Sequence, residues 1–438
     1  MRPQTAPAPP PAQPDAPSQS PKCRLLCPVR DGLTLPARPI DFLLPPDHLA
    51  RWLVARLDSI SLQPFLTPIL AREGHPGRPA IHPSILLALW LYAFCDGIDS
   101  AGKLFEQCRY HDVYRWLLGD VRVSERTLSS FRVQSGPRLE SLFDLVVSEM
   151  KSEGLIDSTE MAQDGMRVRA SAGAASYHRE ETTRRLLEEA TSATSGIPKN
   201  GSKVAAAARS RAKRDKVARC RRALGEYKKL PEPQKRQKKL KKPRRVSTTA
   251  PEVRVTKMGD GGFRPALNVQ FATTVKRKVI VGCEVVNAGS DKKQMSPMLA
   301  GLSRRDLKPK KYLVDGGFVQ LKAITQAHSD GIEVYAPLQK SKGKPVVERK
   351  GDTEGVAEWR RRMCTEEAKE YYKQRGATAE LVNADIRNHG LAFTVRGMKG
   401  ARAIVFWAVI AYDMRRWRSL RKTLNTPNEA PVASQGPS

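Results

Sequence analysis

The chain has 438 residues, which is enough for two or three domains with a sizeable core. Its 76 Lys and Arg outnumber 45 Asp and Glu, so the net charge is +31 and the pI is near 10.1, as is typical of nucleic-acid binders. The seven cysteines are scattered, which argues against a secreted disulfide scaffold and favours reduced thiols in a cytosolic protein. The longest apolar run, residues 85–95, is too short to cross a bilayer.

The first third of the chain has helical patterns between two low-complexity ends. Residues 1–30 form a Pro-rich tail that we expect to be disordered, as we do residues 426–438. Residues 31–153 are predicted to form an all-α domain, because capping residues precede apolar periodic segments. The predicted helix starts lie at or near Asp47, Pro83, Ser100, Asp112, Ser124 and Pro137.

The short helices predicted between residues 100 and 132 have the spacing of a helix-turn-helix unit. In that arrangement the side chains that face a DNA groove would be Arg126, Thr127, Ser130 and Arg132. An ordinary helical bundle with a solvated face explains the same pattern. The sequence leaves both interpretations open.

From residue 154 the pattern changes to short β-like runs followed by helices. The predicted strands are 160–164, 264–274, 278–286, 311–314 and 331–336, with a helix at 292–302. This order predicts an α/β fold in which helices cover a mixed sheet, with residues 154–425 as the catalytic domain.

A basic insertion, residues 176–255, separates the first two strands of this domain. Its ends are helix-like, and residues 201–250 contain 19 Lys or Arg against 3 Asp or Glu. We expect these cations to bind phosphates independently of sequence, or else to belong to a partly disordered arm. The densest cluster is Lys238, Lys239, Lys241, Lys242, Arg244 and Arg245.

Three carboxylates stand out in the catalytic domain. Asp164 and Asp315 each follow a β-like run and precede a glycine, and Glu380 lies in a helix-like run between Arg375 and Arg387. Carboxylates brought together in this way suit a pair of hard cations such as Mg²⁺ or Mn²⁺ about 4 Å apart. The simpler alternatives are Asp-Gly turns for the two aspartates and a solvated helix stripe for the glutamate.

Other acidic residues compete for the same role. Asp291 follows Ser290 before a predicted helix, and we interpret it as part of an N-cap. The remaining competitors are Asp385, Glu366, Glu367 and Glu370. Glu380, Asn383 and Arg387 share one helix face, which could direct a carboxylate to a metal and a guanidinium to a phosphate. No phosphate-binding loop occurs, so we expect no nucleotide cofactor.

Several motifs together resemble the DDE-class transposases of bacterial insertion sequences. GRPAIHPSILLALWLYAFCDGIDSAGKLFEQCRYHDVYRWLLG followed by TLSSFR resembles their N-terminal helical domain, MAQDGMRVRASAG their first-Asp segment and YLVDGGF their second Asp. DGGFRPALNVQFATT and GSDKKQMSPML resemble the strand and helix before that second Asp. The resemblance covers residues 41–424.

The resemblance implies a ribonuclease-H-like core with Asp164, Asp315 and Glu380 as catalytic, metal-binding residues, and two Mg²⁺ or Mn²⁺ ions. The family signature around the glutamate is matched by Tyr372, Arg375 and Arg387, although one extra residue separates Arg375 from Glu380. A second departure is Asp413, where relatives often have Asn. Near an acidic site, this carboxylate is expected to raise a neighbour's pKa or weaken metal binding.

The implied function is metal-dependent 3′-end cleavage and strand transfer on double-stranded DNA. The protein would bind terminal inverted repeats and target DNA and assemble as a homo-oligomer on paired ends. It would act in the bacterial cytoplasm at the nucleoid, with no membrane partner. Two alternatives have the same core: a nuclease without strand transfer, and a non-catalytic DNA-binding protein derived from a transposase.

Overall fold

Capping side chains start the helices of the first third where the sequence places them. The structure is a computed structural model that describes residues 39–69, 71, 79–119, 121–192, 203–230, 244–341, 344–345, 347 and 349–425. Ser100 and Ser124 accept hydrogen bonds from the backbone amides of Lys103 and Thr127, and both helix starts are confirmed. The predicted tails, residues 1–30 and 426–438, lie outside the described residues.

Seven α-helices make up the N-terminal part of the described chain. They are α1 (Leu49–Ser59), α2 (Gln63–Leu66), α3 (Pro83–Cys95), α4 (Ala101–Tyr110), α5 (Asp112–Leu118), α6 (Glu125–Gln134) and α7 (Gly136–Ser152). The 3₁₀ turn Ile40–Leu43 precedes them. Nine residues of α3 are buried, including Trp90 and Phe94, so this helix forms the centre of the N-terminal core.

A six-stranded mixed sheet follows. Its strands are β1 (Glu160–Arg169), β4 (Arg254–Lys257), β5 (Phe263–Thr274), β6 (Ile280–Val286), β7 (Lys311–Leu313) and β8 (Glu333–Tyr335). The short strands β2 (Tyr177–His178) and β3 (Val246–Ser247) lie between β1 and β4 in the chain and belong to a separate sheet. The order of the six-stranded sheet is β4-β5-β1-β7-β8, and β6 also pairs with β5. β5 is antiparallel to its neighbours, whereas β1, β7 and β8 run parallel.

Helices cover this sheet, so the predicted α/β, ribonuclease-H-like class is confirmed. The covering helices after β6 are Met295–Arg304, Leu321–Ser329, Glu354–Cys364, Glu366–Arg375 and Leu381–Asn388. The first of them starts three residues later than predicted. Lys293 there has a positive φ of 77°, which an α-helix does not allow.

The basic insertion is a helical hairpin on a small two-stranded ribbon. The helices are α8 (Glu180–Ser192) and α9 (Lys203–Lys229), as the helix-like ends of the insertion predict. The sequence did not predict the ribbon, in which Tyr177 pairs with Ser247 and His178 with Val246. A separate small core contains Ala223, Tyr227 and Val246.

The long helix Gly397–Asn425 joins the N-terminal helices to the sheet. Trp407 donates to the carbonyl of Arg132 (3.0 Å) and Trp417 to Glu153 (2.8 Å), while the same helix also packs on β6. Residues from Ile40 onward accordingly cluster as one compact unit with a continuous core. The change from helices to strands between Ser152 and Glu160 lies where the domain boundary is predicted, and that boundary stays a prediction.

No helix among the described residues is both long enough and apolar enough to pass through a lipid bilayer.

Candidate active site

Asp164 lies in the middle of β1, not at its end. The strand continues to Arg169, and Asp164 and Gly165 pair with Phe271 and Gln270 of β5. The prediction of a strand that ends at Asp164 is therefore wrong, and the alternative of an Asp-Gly turn is excluded. The Asp164 side chain is only 15% exposed, so it is a carboxylate on the face of the sheet.

Asp315 follows β7, as predicted, and the sheet register places it beside Asp164. β1 and β7 are parallel neighbours in which Ala162 is opposite Leu313, so the same register continued by two residues sets Asp164 opposite Asp315. Adjacent strands lie about 4.8 Å apart. Asp315 also accepts a hydrogen bond from the amide of Gly317 (2.7 Å), which fixes the turn after the strand.

Glu380 ends a π-helical turn, Gly376–Glu380, between two α-helices. This turn accommodates the extra residue that separates Arg375 from Glu380. Residues five apart point in different directions on an α-helix, whereas the wider π turn brings them onto the same side. Arg375 consequently donates to Glu380 Oε1 at 2.9 Å despite the longer spacing.

Arg375 lies between two of the three carboxylates, Asp164 and Glu380. Its Nη2 is 3.1 Å from Asp164 Oδ1, and its Nη1 is 2.9 Å from Glu380 Oε1. Burial by itself lowers the pKa of Arg375, but the carboxylates, Asp164 most strongly, outweigh it and raise that pKa. For Asp164, burial raises the pKa although Arg375 opposes the shift. The arginine thus balances negative charge that the fold has removed from water.

Asn383 is a site residue whose contact with Asp164 the sequence did not predict. It lies three residues after Glu380 and donates through Nδ2 to Asp164 Oδ2 at 2.9 Å. Its own Oδ1 is buried and has no hydrogen-bond partner among the described residues. The spacing of Glu380 and Asn383 on one helix face was the available signal.

The oxygen donors of this cluster fit a hard divalent cation. Carboxylates are ligands that Mg²⁺ binds through one or two groups while it keeps several waters. The unpartnered amide oxygen of Asn383 adds a neutral acceptor beside Asp164. Within the described residues no three His, Cys, Asp or Glu are close enough to hold a metal as they stand. Arg375 supplies the positive charge there instead.

The competing carboxylates have other partners. Asp291 accepts from Asn268 and Gln270, both at 2.7 Å, whereas the N-cap position of the helix that follows is Gln294, so the N-cap interpretation is wrong. These contacts lie where a side chain on Gly165 would be. Successive residues of a strand face opposite sides of the sheet, so Asp291 lies on the face opposite to Asp164. Asp385 pairs with Arg415 at 2.6 Å.

The glutamates of the preceding helix lie at its surface. Glu366 pairs with Lys369 (2.6 Å) and Glu370 with Lys373 (2.5 Å). Thr365 caps this helix by accepting from the amide of Ala368, which places Glu366 and Glu367 in the first turn, where negative charge is favourable.

Two family models match the chain. One, described as "Transposase domain (DUF772)", matches residues 38–134, and the other, "Transposase DDE domain", matches residues 199–414. The chain belongs to the DDE transposases of insertion sequences. The transposase therefore acts on DNA, and proteins with this domain generally use divalent metals. No curated protein and no solved structure matches the chain.

The catalytic-domain match contains Asp315 and Glu380 but begins after Asp164. The prediction for Asp164 therefore depends on its motif and on its place in the fold. Its place in the fold is given by the contact with Arg375 and by the register of β1 with β7.

The transposase's predicted DNA-contacting residues differ in accessibility. Arg126 and Arg387 are exposed, and Thr127 and Ser130 are partly buried, with the Thr127 hydroxyl held by Ser124. The position of Arg132 does not fit the prediction. Arg132 is 6% exposed, donates to the carbonyl of Asp99 and lies over Trp90, so it belongs to the core.

The predicted cationic cluster of the insertion is only partly described. Arg244 and Arg245 are exposed, and Arg244 donates to the carbonyl of Leu230. Lys238, Lys239, Lys241 and Lys242 lie outside the described residues.

Asp413 has a partner outside the carboxylate cluster. It is completely buried, and its Oδ1 accepts from the amide of Ile280 at 3.0 Å, while its Oδ2 has no hydrogen-bond partner among the described residues. Burial raises its pKa well above the ordinary range. The charges that act on Asp164 are those of Arg375 and Asp315, so the predicted effect of Asp413 on the metal site is not supported.

The substitution Asp413→Asn is expected to stabilise the transposase at neutral pH. A carboxyl group whose pKa is raised on folding stabilises most below its unfolded pKa, near 3.9, and loses that contribution as pH rises toward the folded value. At pH 8 we expect the free energy of unfolding of the Asn variant to exceed that of the wild type by roughly 1–3 kcal/mol, so the variant should unfold at a higher temperature. Thermal unfolding at pH 5 and pH 8 measures this, and a wild-type advantage that grows with pH contradicts it.

Proposed function

We propose that this transposase binds the terminal inverted repeats of its own element, cleaves their 3′ ends and joins the freed 3′-hydroxyls to target DNA. The observation that supports the proposal most strongly is that Arg375 contacts both Asp164 and Glu380, while the register of β1 and β7 sets Asp315 beside Asp164. These residues come from two strands and one helix, so only the folded chain brings them together.

In the proposed site Asp164, Asp315 and Glu380 would hold two divalent cations, Mg²⁺ or Mn²⁺. Such a pair would supply charge stabilisation for the attacking and leaving oxygens of a phosphoryl transfer. Asn383 fixes Asp164 by occupying Oδ2, which keeps Oδ1 directed to the centre of the site. Glu380, which is 60% exposed, is the carboxylate best placed to adjust as DNA enters.

Arg375 has two proposed roles. In the protein alone it neutralises Asp164 and Glu380. With divalent cations bound, its guanidinium would be available for a DNA phosphate, for which its planar fork of donors is suited. Arg387, exposed on the helix after Glu380 and without an ion pair to a described residue, is the second proposed phosphate contact.

The N-terminal helices are the proposed readers of the terminal repeats. Arg126 offers an exposed cation on α6, and Thr127 and Ser130 lie near it in sequence. The reaction involves two ends, so we propose that a homo-oligomer forms on paired DNA ends.

The test uses duplexes that carry the inverted repeats found beside the gene. With Mg²⁺ or Mn²⁺ the protein should release 3′-hydroxyl ends, and pre-cut ends should be joined to a second duplex. Ca²⁺ should support binding without cleavage, because its longer and looser ligand shell does not hold the in-line geometry.

Two controls separate the alternatives. A pre-cut end that terminates in a 2′,3′-dideoxynucleotide should not be joined, because it lacks the 3′-hydroxyl nucleophile. Cleavage without joining identifies a nuclease, and binding without cleavage in any metal identifies a non-catalytic DNA-binding protein. Activity in EDTA contradicts the metal-dependent site.

A further inference from the structure

One face of α9 carries cations that have no carboxylate partner. These exposed cations lie three or seven residues apart along the helix, except for one that is adjacent in sequence to another, so they share one side of the helix. They are Arg211, Arg214, Arg221, Arg222 and Lys228. None of them forms an ion pair with a described residue, whereas the neighbouring Lys229 pairs with Glu226. We call this set the α9 stripe.

Small residues separate the cations of the α9 stripe. Ala218 and Gly225 are exposed between them, and a Cβ on Gly225 would meet nothing within 4 Å. From Arg211 to Lys228 the stripe extends about 26 Å at ~1.5 Å per residue. That length corresponds to between seven and eight base pairs at ~3.4 Å each, so a DNA backbone can approach closely along the whole stripe.

The opposite side of α9 is fixed to the catalytic sheet. Cys220, Ala223 and Tyr227 are buried, and the Tyr227 hydroxyl donates to the carbonyl of His178. Glu226 pairs with Arg254 of β4 at 2.8 Å. The stripe is therefore presented by a helix anchored to the sheet that carries Asp164, and the insertion leaves that sheet just beyond β1.

We propose that the α9 stripe is a docking surface for the backbone of double-stranded DNA bound at the active site. This proposal rests on the proposed function, because it takes DNA as the substrate. Proteins that bind single strands stack bases on aromatic side chains. Tyr227, the one aromatic residue of α9, is buried beneath the helix. The stripe therefore fits the phosphates of a duplex, and its contacts are independent of sequence.

The test compares two triple variants with the same change in charge. The stripe variant is Arg214→Gln, Arg221→Gln and Arg222→Gln. The control is Arg184→Gln, Arg185→Gln and Lys216→Gln, which removes three cations from the same insertion outside the stripe; two of them are paired with Glu180 and Glu189. Gln is a good helix former, and circular dichroism checks that α9 persists. A third variant with Lys at the stripe positions retains the charge.

Binding to terminal and random duplexes is measured between 50 and 200 mM salt. Each neutralised phosphate contributes ~0.9 to the slope of log K against log salt, so the stripe variant should lose up to ~2.7. The ratio of the wild-type affinity to that of the stripe variant should then fall by about 40-fold as salt rises from 50 to 200 mM. The control and the Lys variant should keep a slope near that of the wild type, and both DNAs should be affected alike.

The proposal is overturned if the stripe variant keeps the wild-type slope, or if the control loses as much, because total charge would then explain the effect. It is also overturned by a selective loss of terminal-repeat binding, which would make α9 a sequence reader. A wild-type protein that binds no DNA contradicts the proposed function itself, so the two failures are distinguishable.

Discussion

Each of the substitutions Asp164→Asn, Asp315→Asn and Glu380→Gln should abolish cleavage while DNA binding persists. The amides keep the size of the side chains but remove the negative charge that would hold the cations. Loss of one preorganised electrostatic contact typically costs roughly 10²–10³-fold in rate, and we expect at least that for each variant. Single-turnover cleavage of a terminal duplex measures the rate, and a gel-shift assay measures binding.

Glu370→Gln is the matched control for these variants. Glu370 is exposed and pairs with Lys373 one helix before Glu380, so its loss should leave cleavage unchanged. If Glu380→Gln cleaves normally while Asp385→Asn does not, the third carboxylate is Asp385. The ion pair of Asp385 with Arg415 makes that outcome unexpected.

Gly165→Ala should destabilise the protein and impair cleavage although Gly165 lies on the other face of the sheet. An added Cβ would be 2.2 Å from Asp291 Oδ1 and 2.4 Å from Gln270 Nε2. Both side chains would have to move, which breaks the 2.7 Å hydrogen bond between them and shifts the strand that carries Asp164. We expect a loss of about 2–4 kcal/mol, because each unsatisfied buried polar group costs about 1–3 kcal/mol.

Gly173→Ala is the control for this prediction. A Cβ there meets nothing within 4 Å, and the φ of −71° suits any residue. Its stability should stay within about 0.5 kcal/mol of the wild type or rise slightly. Asp291→Ala combined with Gly165→Ala should cost less than the sum of the single changes, because the clash with Asp291 disappears. Strict additivity, or a harmless Gly165→Ala, contradicts the steric account.

Local sequence signals predicted much of the fold. Capping residues located the helices from α3 to α7, and alternating apolar residues located β5, β6, β7 and β8 to within a few residues. The strand at residues 160–164 was predicted too short, because Gly165 and the two arginines after it interrupt the apolar pattern. Pairing with β5 along its whole length keeps β1 extended through these residues.

The site was predictable in its carboxylates but not in their connections. The motifs identify Asp164, Asp315 and Glu380, whereas the contact of Arg375 with Glu380 depends on a π turn that no periodicity reveals. Asp291 and Arg132 were misplaced for a similar reason. Each is polar and precedes or lies in a helix, but long-range partners, Gln270 for one and Trp90 for the other, determine where it points.

The most direct test of the central claim, that these carboxylates are metal ligands, is a change of metal preference in Asp315→Cys. A thiolate is a softer ligand than a carboxylate, so it disfavours Mg²⁺ more than Mn²⁺. We predict cleavage at least about 10²-fold below wild type in Mg²⁺ and recovery to within about tenfold in Mn²⁺, with DNA binding intact. A folded, DNA-bound variant that is equally impaired in both metals, or equally active in both, would contradict a direct bond between Asp315 and the catalytic metal.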